Sequence, residues 1–292
     1  MTDSQPAEPA PRAAPAGAGT EPTAPIRPVI LGILNVTPDS FSDGGTHDDL
    51  TSAVAFAAEL VASGADIVDV GGESTRPGAE RLPVEEEQRR VVPVIRELVA
   101  RGIPVSIDTM NAGTAAIAAE LGASIINDVS AGAADPDMPR VAAESGLMFV
   151  AMHSRGPSST MNERAVYRDA VTEVRIELEY RIADLITQGV RPERIIVDPG
   201  IGFSKNPDQD WQLLGSLHEL RVLGHPLLVG ASRKRFLADL LPVGAKVRER
   251  DTATSIISAL AAEAGVWGVR VHDVRSTAAA LDVWTRMSGV RR

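Results

Sequence analysis

Eight times along this 292-residue chain, a short apolar run ends on a few polar residues or glycines. The runs are VILGILN, closing at Asn35; ADIVDVGGE, with Asp69 and Glu73; IPVSID, closing at Asp108; and ASIIND, with Asn127 and Asp128. Then come LMFVAMH, closing at His153; RIIVDP, with Asp198; PLLVGASRK, with Ser232 and Lys234; and VWGVRVH, with Arg270 and His272. Near-continuous apolar runs of this length read as strands buried on both faces, which is how parallel sheets are built. Segments of helical period separate them, and strand–helix alternation favours a parallel sheet wrapped by helices. An open, doubly wound sheet would satisfy that alternation. A polar end on every run instead favours a closed (β/α)8 TIM barrel, whose chemistry gathers at the C-terminal ends of its strands. Residues 29–292 supply the length of one such domain, about 250 residues.

The intervening helices are expected where apolar stripes run into glycine. Leu50, Val54, Ala57, Leu60 and Val61 form one stripe ending at Gly64. Further helices are expected over residues 85–100, with Pro93 as a kink or break, and over 111–121. The longest is expected over 166–188, followed by 210–222, 251–264 and 276–287. Residues 1–28 differ: seven Pro, seven Ala and no aromatic residue cannot offset the entropy of ordering, so a disordered tail is expected there.

Composition excludes several classes. A formal net charge of −10 argues against nucleic acid and anionic membrane surfaces as partners. No apolar stretch is long enough to span a membrane. There is no cysteine, so thiolate nucleophiles, disulfides and Cys-ligated metals are excluded, and a cytoplasmic location is expected. Neither HExxH, a P-loop nor a GxSxG elbow occurs.

Five constellations carry chemistry. GILNVTPDSFSDGG holds Asn35 at a strand end, then Asp39, Ser40, Phe41 and Asp43 in a connection longer than the usual two to six residues. GGESTRPGAERLP is a second long connection, carrying Glu73, Thr75, Arg76 and Pro77. Either could be a solvated turn; together they read as two covers over a barrel mouth. Asp108, Asn127 and Asp198 end three different strands. One of them could be a helix cap, but three converging suit a flat heterocycle with an amino-amide edge, because carboxylates accept paired N–H donors. GASRKRF brings Ser232, Arg233, Lys234 and Arg235 to what reads as a helix start, an anion site. In VRVHDV, Arg270 and His272 alternate with valines and share one strand face, as a phosphate clamp would.

These motifs converge. GILNVTPDSFSDGG (32–45), GGESTRPGA (71–79), SIDT (106–109), INDVSAG (126–132), MHSRG (152–156), DPGIGF (198–203), GASRKRF (230–236) and RVHDV (270–274) occur in an order that resembles the dihydropteroate synthase family. The resemblance implies a (β/α)8 transferase of folate biosynthesis. It would join 6-hydroxymethyl-7,8-dihydropterin diphosphate to 4-aminobenzoate and release pyrophosphate. It implies that Asp108, Asn127, Asp198 and Lys234 hold the pterin, with Met152 and Gly230 lining the pocket. Asn35, Arg270 and His272 would hold the diphosphate, with Mg²⁺ at Asn35. Phe41, Thr75, Arg76, Pro77, Phe203 and Ser232 would form the 4-aminobenzoate site. Asp39, Asp108 and Lys234 are the implied catalytic residues. A homodimer and sulfonamide sensitivity are implied as well. His153 is expected to be structural. The segment GFSKNPDQDW, Asn111 and Ala131 depart from common family choices. They leave as alternatives a divergent pterin-binding paralogue or a methyltetrahydrofolate-dependent methyltransferase.

Overall fold

The computed structural model describes residues 27–37, 46–73, 81–156 and 161–290. Of the tail expected over 1–28, residues 1–26 lie outside them, and Arg27 is paired with Asp66 at 2.9 Å. Eight parallel strands form one sheet: β1 (Val29–Asn35), β2 (Ile67–Gly71), β3 (Val105–Asp108), β4 (Ile125–Asp128), β5 (Met148–Met152), β6 (Ile195–Asp198), β7 (Leu228–Val229) and β8 (Gly268–Val271). Their order is β6-β5-β4-β3-β2-β1-β8-β7, and a parallel bridge from Val197 to Leu227 joins the two ends into a barrel. The helices are α1 (Thr46–Ala62), α2 (Val84–Ala100), α3 (Ala112–Leu121), α4 (Met138–Ser145), α5 (Ala170–Thr187), α6 (Pro207–Gly215), α7 (Leu217–Leu220), α8 (Asp251–Glu263) and α9 (Val274–Val290).

Strand alternation sorts the core into two parts. Outward residues such as Ile30, Val68, Ile107, Ile126, Phe149, Val197 and Val269 pack under the helices in the main apolar cluster. Inward residues Leu31, Ile125, Val150, Ile196 and Leu228 form a separate plug that fills the lower barrel. Branched aliphatic side chains do this filling, as the low aromatic content requires.

Several helix expectations need correction. Pro93 does not break α2, which buries Val91, Val94, Ile95 and Leu98; that burial outweighs one lost backbone hydrogen bond. α5 starts at Ala170 rather than 166, because Asp169 caps it by accepting the N–H groups of Val171 (3.1 Å) and Thr172 (3.2 Å). α4 has no counterpart in the sequence reading; it is only eight residues long. The helix expected at Ser232 is a turn, and helical geometry begins only at Arg235 as a 3-10 segment.

Candidate active site

The parallel register carries inward residues around the barrel mouth. Asn35 lies beside Gly71, Gly71 beside Asp108, Asp108 beside Asn127, and Met152 beside Asp198. Arg270 sits two positions above Gly268 on β8, with Gly230 and Asp198 next to it. Gly71 is needed because a Cβ there would press on the Asp108 side chain at 3.3 Å. One polar layer therefore lies directly on the apolar plug.

At its centre, Arg270 bridges two acids. Its Nε donates to Asp69 Oδ2 at 2.6 Å and its Nη2 to Asp108 Oδ2 at 2.7 Å. Asn127 Nδ2 donates to the same Asp69 oxygen at 3.2 Å. Burial, reinforced by Asp69, pushes the Asp108 carboxyl up to about 7, against the lowering effect of Arg270. The sequence reading paired Arg270 with His272 as a diphosphate clamp. In the structure Arg270 reaches Asp69 and Asp108, while His272 lies against Ser232. Asp69 was not assigned to the site at all. Its signal was present, since a lone Asp between Val68 and Val70 faces the barrel interior and is fully buried.

The second group surrounds the loop after β6. Asp198 is buried; its Oδ1 accepts the Gly200 N–H at 2.7 Å, and burial raises its pKa against the nearby Lys234 ammonium. Lys234 donates to the carbonyl of Ile201 and stands 4.3 Å above the Phe203 ring. Its own pKa falls to about 8 through burial. The loop turns through left-handed conformations at Gly200 and Gly202. A Cβ at Gly200 would collide with the carbonyl of His153, and one at Gly202 would meet Lys234 Cδ at 2.6 Å. Asn206, Pro207 and Asp210, which depart from the family pattern, give this loop a firm exit. Asn206 and Gln209 form a reciprocal capping box on α6, and Asp210 accepts the Gly202 N–H at 2.6 Å. Ala131, another departure, adopts φ of 53° after Asp128, a conformation that favours glycine.

Ser232 and His272 meet beyond the ends of β7 and β8, next to this group. Ser232 Oγ lies 2.9 Å from His272 Nδ1 and accepts the His272 N–H at 3.1 Å. The basic run beside them does not converge on an anion. Arg233 adopts φ of 59° and turns back to Asp251, with both hydrogen bonds at 2.7 Å, while Arg235 is exposed. Among the described residues, then, Asn35, Asp108, Asn127, Met152, Asp198, Phe203, Gly230, Ser232, Lys234, Arg270 and His272 all lie at the barrel's C-terminal end. Asp39, Phe41, Thr75, Arg76 and Pro77 lie outside the described residues, as do most of the two long connections.

Residues 31–272 match the pterin binding enzyme family. The chain is 51% identical over 265 residues to a dihydropteroate synthase of Mycobacterium leprae, covering 89% of this chain and 93% of the relative. The chain belongs to the dihydropteroate synthases. It is also 43% identical to the synthase of Escherichia coli over 257 residues, covering 88% of this chain and 90% of that one. A solved dihydropteroate synthase of Xanthomonas albilineans with 4-aminobenzoic acid superposes with a TM-score of 0.83 at 43% identity, covering 89% of this chain and 93% of that one. The same organism's enzyme in complex with 7,8-dihydropteroate gives a TM-score of 0.80 at 40% identity, with coverage of 89% and 94%. Identity at this level across both chains disfavours the methyltransferase alternative, and the departures at Asn111, Ala131 and 202–211 leave the dihydropteroate synthase fold in place.

Proposed function

We propose that this protein condenses 6-hydroxymethyl-7,8-dihydropterin diphosphate with 4-aminobenzoate, giving 7,8-dihydropteroate and pyrophosphate. The observation that carries the reading is the inward polar layer of Asp108, Asn127 and Asp198 with Lys234 at its edge. Two carboxylates and an amide can pair with the N–H and carbonyl edge of a pterin. The amine of 4-aminobenzoate is neutral near pH 7, so the layer needs no strong base. The demanding step is departure of diphosphate from the pterin methylene. That step proceeds through a cation-like state, which the Asp108 carboxylate and the Asp39 side chain stabilise in this reading. Asp198 holds the pterin N–H edge and so favours electron release from the ring. Lys234 contacts the pterin and keeps Phe203 in place for the second substrate. Thr75, Arg76, Pro77, Phe41 and Ser232 complete the 4-aminobenzoate site in this reading, and sulfonamides compete there.

The donor set fits Mg²⁺ as an ion carried in with the diphosphate. Asn35 offers one amide oxygen at the end of β1, and no group of three or more His, Asp or Glu among the described residues is disposed to hold a metal. Mg²⁺ commonly keeps waters and takes substrate phosphates as ligands. When bound, the ion would neutralise charge developing on the leaving diphosphate. His272 and the remaining N–H groups of Arg270 face the same end of the barrel. With purified protein, both substrates and Mg²⁺, pyrophosphate and dihydropteroate should appear in equal amounts, and chelation with EDTA should cut the rate at least tenfold. Tight pterin binding without pyrophosphate release would instead identify a binding paralogue.

No helix among the described residues is long and apolar enough to cross a membrane. This reading places the enzyme in the cytoplasm as a homodimer. The exposed Ile256 and Leu260 on α8 lie one turn apart, as do Val283 and Met287 on the adjacent α9, an apolar face suited to a second copy of the chain. Leu260→Glu should shift the protein from dimer to monomer in analytical ultracentrifugation. A monomeric wild type would refute this assembly.

A further inference from the structure

The loop that carries Phe203 is held from beneath by a buried lysine. Lys205 Nζ donates to the Gly200 carbonyl at 3.0 Å, to the Phe203 carbonyl at 2.9 Å and to His153 Nδ1 at 3.0 Å. In its charged form Lys205 has three N–H donors, and all three are used; burial lowers its pKa to about 7, against the opposing pull of Asp210. His153 can accept at Nδ1 only if its proton sits on Nε2, and Nε2 lies 2.9 Å from Glu177 Oε2. Glu177 is anchored in turn by Arg155. His153 is held well below the usual imidazole range, at about 4, by burial and by the Lys205 ammonium, which keeps it neutral and able to accept. A chain of contacts therefore runs from α5 through the end of β5 to the two backbone carbonyls that flank Ile201 and Gly202. Lys234 grips the Ile201 carbonyl from the site side. The loop is clamped between two lysines, one facing substrate and one facing the protein interior.

We propose that Lys205 is a positioning residue for 4-aminobenzoate: it fixes the loop 200–203 so that Phe203 and Lys234 present a preformed wall to the second substrate. This rests on the synthase reading above. The pterin is held chiefly from β3, β4 and β6, to which Lys205 makes no hydrogen bond; it reaches Asp198 only through its charge and through Gly200, whereas it bonds the Phe203 carbonyl directly. Loss of Lys205 takes the partner from the Phe203 carbonyl and leaves the Gly200 carbonyl with the Phe203 N–H alone, at 3.0 Å, so the loop loses its anchor beneath Phe203. Its effect should fall on the second substrate more than on the first.

Lys205→Met, in the full-length protein, should raise KM for 4-aminobenzoate at least tenfold. Calorimetric affinity for the pterin diphosphate should change less than threefold, and kcat at saturating 4-aminobenzoate should fall much less than kcat/KM. A purely structural lysine would lower the melting temperature and the active fraction while leaving both KM values in place, and that result overturns the proposal. So would equal losses for both substrates. Should Lys205→Met not fold, His153 supplies the test. His153→Asn keeps an acceptor for Lys205, whereas His153→Leu removes it, so the leucine variant should show the larger rise in KM for 4-aminobenzoate. Equal KM values for the two would overturn the proposal. A wild type that binds the pterin but forms no dihydropteroate would refute the synthase reading itself, before any variant is compared.

Discussion

Asp198→Asn should weaken binding of the pterin diphosphate by about 10²-fold or more while the barrel stays folded. The side chain keeps its volume, and an amide oxygen can still accept the Gly200 N–H that Asp198 Oδ1 receives at 2.7 Å. That choice turns the new NH₂ toward the pocket, where the carboxylate had offered its second oxygen. A pterin edge of N–H donors then meets a donor. Hydrogen bonds to a charged group contribute ~1.5–3 kcal/mol each, so two of them correspond to roughly 10²- to 10⁴-fold in affinity. Lys234 would also lose the anion that draws its pKa upward against burial. Calorimetry with the pterin diphosphate, beside a thermal melt, separates binding from folding. Wild-type affinity in a folded variant would remove Asp198 from the pterin site.

Much of this site is visible in the chain because strand ends are local. A run such as IPVSID or RIIVDP carries its own register, and alternation then places Asp108 and Asp198 on the inner face without tertiary information. Pairings between strands are not local. Nothing in the order of residues says that Arg270 lies between Asp69 and Asp108, which are 201 and 162 positions away. The basic run at 233–235 misled for a related reason. Its reading assumed a helix start, whereas a left-handed turn at Arg233 sends that side chain to Asp251. Lys205 was illegible because its partners are backbone carbonyls and a neutral imidazole, with no acidic partner in sequence to suggest a role. The short helix α4 fell below the length at which period can be read.

Arg270→Ala should have the largest effect on the fold. The guanidinium is the cation that separates two buried acids, Asp69 and Asp108, at 2.6 and 2.7 Å. Removing one partner of a buried ion pair typically costs ~3–5 kcal/mol, because a charge is left uncompensated in the interior. Here two carboxylates would be left. Burial already pushes the Asp108 carboxyl up to about 7, and Arg270 is the main group opposing that rise; without it the value climbs further. A carboxyl whose pKa in the folded protein lies above its unfolded value favours folding fully below the unfolded value, and that contribution is lost as pH rises through the folded one. The deficit of Arg270→Ala relative to wild type should therefore be greatest near pH 8 and shrink toward pH 5, where one of the acids can take up a proton. Adding Asp69→Asn to Arg270→Ala should recover part of the loss at pH 8, since it removes one of the two facing charges. Urea unfolding of the three proteins at both pH values measures this directly. A deficit equal at pH 5 and pH 8, with no recovery from Asp69→Asn, would mean that Arg270 contributes by filling space rather than by neutralising the layer on which the pterin is proposed to sit.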